Sequence, residues 1–248
     1  MDDTAPDSTT PARPTGPGAA RVLIAVVWRP ARGRAYAHRV TSAHWKNLLP
    51  DADLIDIDTD DKPFNIAACR NAGVRHAQKV GADVVILSDA DALTEAEPVA
   101  AAIAEAATSG RVHLPYSELR ALGPRGSKQF LAGVPLPACD AVTVDGAVGT
   151  VYVTAPATWL SLGGQDTRFR GWGFEDPSFH LAHHTLKGAP LARHPGRVYT
   201  LHHPPAKKKG PHYDANLALC GRYHQAAGNP TAMRALLAER QAAGQFRP

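Results

Sequence analysis

The chain has 248 residues, of which 44% are apolar, and a formal net charge of +4. This apolar content excludes a disordered chain and allows one large α/β domain or two small ones. The modest basic excess suits an anionic ligand such as a nucleotide. It does not by itself indicate binding to nucleic acid.

The three cysteines, Cys69, Cys139 and Cys220, are odd in number and lie far apart in the sequence. This usage favours reduced thiols over a disulfide framework. No apolar run approaches the roughly 18–20 residues of a membrane span, and the first residues lack the apolar segment of a signal peptide. We therefore expect a cytoplasmic protein without a membrane span.

The first 91 residues alternate between predicted strands and helices. Residues 1–20 carry almost no bulky apolar side chains and are predicted to be a disordered leader. Apolar periodicity then predicts strands over residues 22–28, 54–58 and 84–87, and helices over residues 35–49 and 65–80. This alternation implies right-handed crossovers, and the predicted fold class is α/β with a mainly parallel central sheet flanked by helices.

The second half of the chain is less regular. Thr94 and Glu97 have capping-box spacing and predict the start of an alanine-rich helix that ends before Gly110. The glycines and prolines between residues 117 and 146 predict a long irregular segment. The remaining predictions are strands over residues 149–154 and 198–201, a short helix capped by Thr154, a helix over residues 177–186, and two C-terminal helices within residues 214–243.

Two carboxylates, Asp89 and Asp91, close the predicted strand over residues 84–87. Ligands of open α/β sheets bind outside the carboxyl ends of the strands, and two acids at such an end suit a divalent cation and the diphosphate it carries. The same tripeptide occurs at residues 51–53, where it precedes a strand. We interpret this second copy as a solvated turn.

A second candidate region is the Gly-Trp-Gly-Phe-Glu-Asp sequence of residues 171–176. Glycines around Trp172, followed by Glu175 and Asp176, predict a flexible loop that places an aromatic platform beside carboxylates. The dipole of the helix predicted to follow favours the ionised acids. The alternative interpretation makes the acids helix caps and Trp172 a core residue.

Two other polar clusters are weaker candidates. His180, His183 and His184 contain an i, i+4 pair that suits zinc, but we interpret them as a solvated helix face. The lysine run of residues 207–209 is interpreted as a solvated loop, with contact to phosphate or a nucleic-acid acceptor as the alternative.

Several segments now resemble one enzyme family in the right order. They are the Phe-Asn-Ile-Ala-Ala-Cys-Arg-Asn-Ala-Gly stretch of residues 64–73, the Asp-Ala-Asp of residues 89–91, the Leu-Gly-Gly-Gln-Asp-Thr-Arg-Phe of residues 162–169, residues 171–176, and a histidine that closes the last strand, His202. Together they are similar to nucleotide-sugar glycosyltransferases of the GT-A fold, in particular β-1,4-galactosyltransferases, bacterial chondroitin-type polymerases and polypeptide N-acetylgalactosaminyltransferases.

The resemblance covers roughly residues 21–230. It implies a single GT-A domain over residues 21–213, with residues 214–248 forming C-terminal helices packed on it. Two positions depart from the family pattern. Phe174 stands where the family usually has glycine, and Pro177 replaces an acid that often follows the Glu-Asp pair.

A metal site follows from the resemblance. It implies that Asp91 and His202 bind Mn²⁺ or Mg²⁺, with Asp89 near the ribose or a metal-bound water and His203 as the neighbouring candidate ligand. The ion would offset charge on the departing nucleotide diphosphate.

The resemblance also implies how the two substrates are held. Asp58 would contact the nucleoside base of the donor, and Arg29 and Arg70 would approach its base or phosphates. Asp176 matches the catalytic base of inverting members. Glu175, Trp172 and Gly173 would hold the acceptor sugar.

These expectations amount to a metal-dependent glycosyltransferase that uses a nucleotide-diphosphate sugar, with UDP-sugars favoured and inversion preferred. The alternatives are retaining transfer, nucleotidyl transfer and a degenerate nucleotide-binding module. Nucleotidyl transfer would require a glycine-rich phosphate loop after the first strand, which residues 32–34 (Arg-Gly-Arg) poorly supply. The acceptor stays open among a glycan, a small molecule, a protein and a hydroxylated DNA base, and so does the oligomeric state.

Overall fold

The structure is a computed structural model that describes residues 20–204 and 208–242. The leader predicted over residues 1–20 therefore lies outside the described residues, except for its last position. Within the described ranges, every helix is too short or too polar to cross a lipid bilayer.

The first half of the chain forms the alternating units that its periodicity predicts. The elements are β1 (Val22–Val27), α1 (Ala35–Leu48), β2 (Asp53–Ile57), α2 (Ile66–Lys79) and β3 (Val84–Asp89). Strand β1 pairs in parallel with both β2 and β3. The carboxyl ends of these three strands consequently lie at one edge of the sheet, where ligands of such folds bind.

The second half adds shorter elements to this core. They are β4 (Ala92–Thr94), α3 (Ala96–Ala106), β5 (His113–Leu114), β6 (Glu118–Ala121), α4 (Gly123–Leu131), β7 (Val142–Val144), β8 (Val151–Thr154), α5 (Pro156–Ser161), α6 (Glu175–Lys187), β9 (Ala192–Arg193), β10 (Arg197–Thr200), α7 (Pro211–Ala226) and α8 (Pro230–Ala242).

The strands form two sheets. The larger has the order β2-β1-β3-β8-β5-β9, and the smaller has the order β4-β10-β6-β7. In the larger sheet, β8 runs antiparallel to both of its neighbours, and the other three pairings are parallel. The α/β class and the mainly parallel central sheet are as predicted.

The prediction of an irregular segment over residues 117–146 is wrong, because these residues contain β6, α4 and β7. Its glycines and prolines mark boundaries and close contacts within regular structure. Pro124 occupies the first turn of α4, which proline tolerates. A Cβ atom on Gly126 would overlap the carbonyl oxygen of Asp140.

The two predicted threonine caps are also wrong. Thr94 belongs to β4, where it pairs with Val198, and α3 begins after Glu95 without a side-chain cap. Thr154 belongs to β8, and Ala155 stands at the cap position of α5. Both threonines are β-branched residues that a strand accommodates readily, and pairing with neighbouring strands outweighs the local capping signal.

Helix α6 begins two residues earlier than predicted, so Glu175 and Asp176 lie in its first turn. The interpretation of its histidines as a solvated face is wrong for His183, which is fully buried. The two ring nitrogens of His183 lie 3.0 Å from the Ala189 carbonyl and 3.2 Å from the Val112 amide. These backbone partners satisfy a neutral imidazole inside the protein.

The C-terminal helices share a second hydrophobic core with α6. Its members include Phe169, Ala182, Leu219, Tyr223 and Met233. Helix α7 begins at Pro211, inside the range predicted for the main domain. The division of the chain after residue 213 stays a prediction.

Candidate functional site

Strand direction separates the two Asp-Ala-Asp tripeptides. Asp89 is the last residue of β3, whereas Asp53 is the first residue of β2. Because both strands run parallel to β1, the two tripeptides lie at opposite ends of the strands. Only the copy at residues 89–91 lies at the carboxyl edge.

Asp91 contacts the imidazole of His203. The Oδ2 atom of Asp91 lies 3.0 Å from Nε2 of His203, and a guanidinium nitrogen of Arg34 lies 2.8 Å from the other ring nitrogen. The hydrogen bond to Asp91 raises the pKa of His203. The side chain of His203 is therefore oriented from both sides.

The backbone explains why these distant residues meet. Strand β10 runs antiparallel to β4, with Thr200 opposite Ala92, and the amide of Leu201 donates to the Asp91 carbonyl at 2.9 Å. The neighbouring His202 is held through its backbone, which accepts a hydrogen bond from the Tyr36 hydroxyl at 2.6 Å. Of the two histidines left open by the sequence, His203 is the one whose side chain contacts Asp91.

The chemistry of this pair fits a divalent cation. Carboxylate oxygens and imidazole nitrogens are common ligands of Mn²⁺. Two ligand atoms bound in neighbouring positions at about 2.1 Å lie about 3 Å apart, and Asp91 and His203 present their atoms at 3.0 Å. Asp89 lies two residues away on the same strand end.

Arg70 connects this strand end to helix α6. Its guanidinium is fully buried and donates to Asp89 at 2.8 Å and to Asp176 at 2.6 Å. A buried cation is costly unless it is paired and hydrogen-bonded, and the two carboxylates raise the pKa of Arg70 against the effect of burial. Arg70, expected near the donor, thus lies between Asp89 and the predicted base.

Asp176 accepts hydrogen bonds from further buried groups. Its Oδ1 atom lies 2.7 Å from the Tyr152 hydroxyl and accepts from the Gln165 amide at 2.9 Å. Gly149 faces the same carboxylate, because a Cβ atom there would overlap it. The sequence did not identify Tyr152, Gln165 or Gly149 as site residues, although Gln165 lies within the Gly-Gly-x-Asp stretch.

The carboxylates of this region are crowded. Burial raises the pKa of Glu175 to about 7, and the charge of Asp176 adds to this rise. Burial also raises the pKa of Asp89 to about 6; Arg70 opposes this rise, and Asp91 and Asp176 reinforce it. Such mutual repulsion favours a cation among the acids.

Two of the predicted donor residues form a second cluster at the same sheet edge. Arg29 follows β1 and Asp58 follows β2, and their side chains form two hydrogen bonds of 2.6 and 2.5 Å. This hydrogen-bonded pair lowers the pKa of Asp58. The Arg29 guanidinium also lies 5.0 Å from the ring centroid of Phe64.

Trp172 is a surface residue, 45% exposed, and the alternative interpretation of a core tryptophan is wrong. Its ring lies parallel to that of Tyr213, with centroids 6.3 Å apart. The ammonium of Lys208 lies 4.7 Å from the tryptophan centroid. Lys207, the first residue of the predicted lysine loop, lies outside the described residues.

Asn216 of α7 fastens the glycine loop that carries Trp172. Its side-chain amide donates to the Arg170 carbonyl at 2.9 Å and to the Gly173 carbonyl at 3.2 Å. Its side-chain oxygen accepts from the Arg170 amide at 3.0 Å. No sequence signal marks this asparagine, because its partners are backbone atoms that the chain brings together only on folding.

Comparison with known proteins gives the fold. No family model matches the sequence, and no curated protein matches it. Among solved structures, the chain is similar to the catalytic domain of Drosophila β1,4-galactosyltransferase 7 in complex with xylobiose, with 16% identity, a TM-score of 0.52 and coverage of 80% of each chain.

Two further structures show weaker likeness. GalNAc-T7 with UDP, GalNAc and Mn²⁺ has 12% identity and a TM-score of 0.49, covering 91% of this chain and 55% of that one. The mannosyltransferase PcManGT from Pyrobaculum calidifontis with GDP-Man and Mn²⁺ has 14% identity and a TM-score of 0.46, covering 91% and 76%. The galactosyltransferase match confirms the predicted GT-A fold.

Proposed function

We propose that this chain is a metal-dependent glycosyltransferase that moves a sugar from a nucleotide-diphosphate sugar, preferably a UDP-sugar, to an acceptor hydroxyl. One observation carries the proposal. Asp89, a candidate metal ligand at the end of β3, and Asp176, the candidate base, both pair with the buried guanidinium of Arg70. The GT-A fold shared with a galactosyltransferase catalytic domain supports it.

Asp89, Asp91 and a histidine of the 202–203 pair would hold Mn²⁺ or Mg²⁺. The contact with Asp91 favours His203. The ion would act as a Lewis acid toward the leaving nucleotide diphosphate. The proposal assigns the nucleoside base to the Asp58 and Arg29 pair.

Asp176 is the proposed base of an inverting reaction. As the acceptor oxygen attacks the anomeric carbon, its proton passes to Asp176 and the bond to the nucleotide diphosphate breaks. The receiving atom is Oδ2, because Oδ1 already accepts from Arg70 and Gln165. Arg70, Tyr152 and Gln165 fix the carboxylate for this transfer.

The proposed acceptor site lies beside this base. Glu175 and Gly173 would bind acceptor hydroxyls, and the exposed ring of Trp172 would cover an apolar sugar face. This platform favours a glycan or a small sugar-containing molecule over a protein or a hydroxylated DNA base. All three cysteines are buried and free, which supports a reducing compartment such as the cytoplasm.

Retaining transfer on the same residues is the nearest alternative. Nucleotidyl transfer and a degenerate binding module are less favoured, because neither accounts for a carboxylate held by Arg70, Tyr152 and Gln165. The anomeric configuration of the product distinguishes inversion from retention.

The proposal is tested with a panel of UDP-sugars. A donor that binds only the folded chain raises its melting temperature, and we expect such a rise with one or a few UDP-sugars when Mn²⁺ is present. The same sugars should release UDP on incubation with the chain. Absence of UDP release from every UDP-sugar in the panel would contradict the proposal.

A further inference from the structure

A second cluster of metal-binding side chains lies near β9, the last strand in the order of the larger sheet, where α3, β5 and β9 meet. The Nδ1 atom of His113 lies 3.0 Å from Nε2 of His194 and 3.9 Å from a carboxylate oxygen of Glu105. The three ligand atoms all lie within 4.8 Å of one another. Strand β8 lies between β5, which carries His113, and β3, which ends at Asp89.

The two imidazoles are preorganised. His113 is fully buried and His194 is 6% exposed, so neither ring loses much freedom when it takes a ligand. Their rings stack with centroids 5.2 Å apart. Glu105 differs, because its side chain is 60% exposed and can move toward the pair.

Ser109 contacts the ring nitrogen of His113 that faces away from His194. Its hydroxyl oxygen lies 2.7 Å from Nε2 of His113 and accepts a hydrogen bond from the Arg111 amide at 3.2 Å. With the Nε2 proton donated to Ser109, the lone pair is on Nδ1, the nitrogen that faces His194 and Glu105. Histidine ligands of metals are commonly oriented by such a hydrogen bond at the other ring nitrogen.

We propose that Glu105, His113 and His194 form a zinc site. Zinc binds imidazole nitrogens and carboxylate oxygens at about 2.0–2.2 Å, so tetrahedral ligand atoms lie about 3.3 Å apart. The two nitrogens need only a few tenths of an ångström of adjustment from 3.0 Å. Two imidazoles and one carboxylate suit zinc better than Mg²⁺, which prefers oxygen ligands.

The position of the cluster indicates what the ion would do. Strands β5 and β9 have two residues each, and their pairing joins His113 to Ala192. An ion held by these three residues would tie the end of α3 and the chain after β9 to β5. Three protein ligands leave the fourth coordination position of the ion to a water molecule, since the Glu105 side is exposed to solvent. The bound ion would stabilise this edge of the sheet.

The experiment uses the full chain, freed of metal by dialysis against a chelator and carrying Asp91→Asn to remove the candidate donor-metal site. Zinc chloride is titrated by calorimetry, and the melting temperature is followed. We expect one zinc per chain and a rise in melting temperature. A chain that takes up no zinc overturns the proposal.

Three further variants assign the ligands. Glu105→Gln removes a ligand at an exposed position that tolerates substitution, and Ser109→Ala removes the orienting hydrogen bond. Each should weaken zinc binding at least about 10-fold, the loss typical when even an outer partner of a metal site is removed. Glu97→Gln, on the exposed face of the same helix, is the matched control and should bind zinc as before. Unchanged affinity in Glu105→Gln contradicts the proposal.

Discussion

The two Asp-Ala-Asp tripeptides of this chain have the same residues and different surroundings. At residues 51–53 the acids face solvent, and Asp53 has one exposed ion pair, 3.3 Å from Arg21. At residues 89–91 the first acid pairs with buried Arg70 and the second contacts His203. The copy at residues 51–53 ends at the first residue of β2, and the copy at residues 89–91 begins at the last residue of β3.

The difference shows where the chemistry of a short motif originates. Parallel strands gather the carboxyl ends of β1, β2 and β3, so residues 29, 58 and 89 all follow or end strands at the same end of the sheet. The tripeptide at the opposite edge gains no such neighbours. Position in the sheet, and not the identity of the residues, makes the copy at residues 89–91 a candidate site.

Asp176→Asn has the largest expected effect. It tests whether residues 89–91 share a site with a catalytic base. Asparagine cannot take the proton of the acceptor, and transfer should fall by about 10²–10⁴-fold. Donor binding by calorimetry should persist, because the residues at the end of β3 are unchanged. Retained turnover would mean that another base acts or that the reaction retains configuration.

Asp91→Asn and Asp51→Asn compare the two tripeptides directly. Asp91→Asn removes a charged ligand of the candidate metal site and should abolish Mn²⁺-dependent donor binding measured by calorimetry. Asp51→Asn makes the same chemical change in the other copy and should bind donor as the natural chain does. Equal loss of donor binding in both variants, or no loss in either, would contradict the assignment of the candidate metal site to residues 89–91.

Acidification is expected to lower the stability of the fold through the buried His183. Burial lowers the pKa of His183 to about 4, below its ordinary value in the unfolded chain, so the unfolded chain binds the proton first. The free energy of unfolding should therefore fall by about 1–2 kcal/mol between pH 6.5 and pH 5 through this residue.

Urea unfolding of the natural chain and of His183→Gln checks this. The variant should show a shallower decline with falling pH. His113, whose pKa burial also lowers to about 4, keeps its own share of the decline in both proteins. Identical slopes for the two proteins would show that His183 does not titrate as expected.

Asp53→Asn has the smallest expected effect. The ion pair with Arg21 is exposed on both sides, and exposed pairs contribute between about 0 and 1 kcal/mol. The midpoint of urea unfolding should shift only slightly, and donor binding should be unchanged. A larger loss of stability would mean that this tripeptide has a structural role at the start of β2.

The sequence predicted the parts of the site that follow from periodicity and strand ends. The βα units, Asp89 and Asp91 at a carboxyl edge, and Glu175 with Asp176 at the start of a helix all belong to this group. Each depends on residues close together in the chain. Local patterns were sufficient for them.

The remaining parts depend on contacts between distant residues. The position of Arg70 between β3 and α6, and the choice of His203 over His202 beside Asp91, follow from tertiary packing and strand register. Segment 117–146 was misjudged for a related reason. Strand β6 pairs with β10 and β7 pairs with β6, and local composition does not reveal these pairings.

Phe174 precedes α6 with a φ of +76°, a conformation that costs a residue with a side chain about 1–2 kcal/mol. Its ring packs 5.2 Å from that of Tyr213 in α7. Chemical similarity is therefore a poor guide to substitution here. Isoleucine, similar in polarity, suits this backbone worst because it is β-branched. Glycine, the least similar residue, suits the backbone best but gives up the hold on α7. Replacing phenylalanine with glycine would relieve the backbone strain but remove the ring contact with Tyr213. The backbone next to Glu175 and Asp176 would then be more flexible.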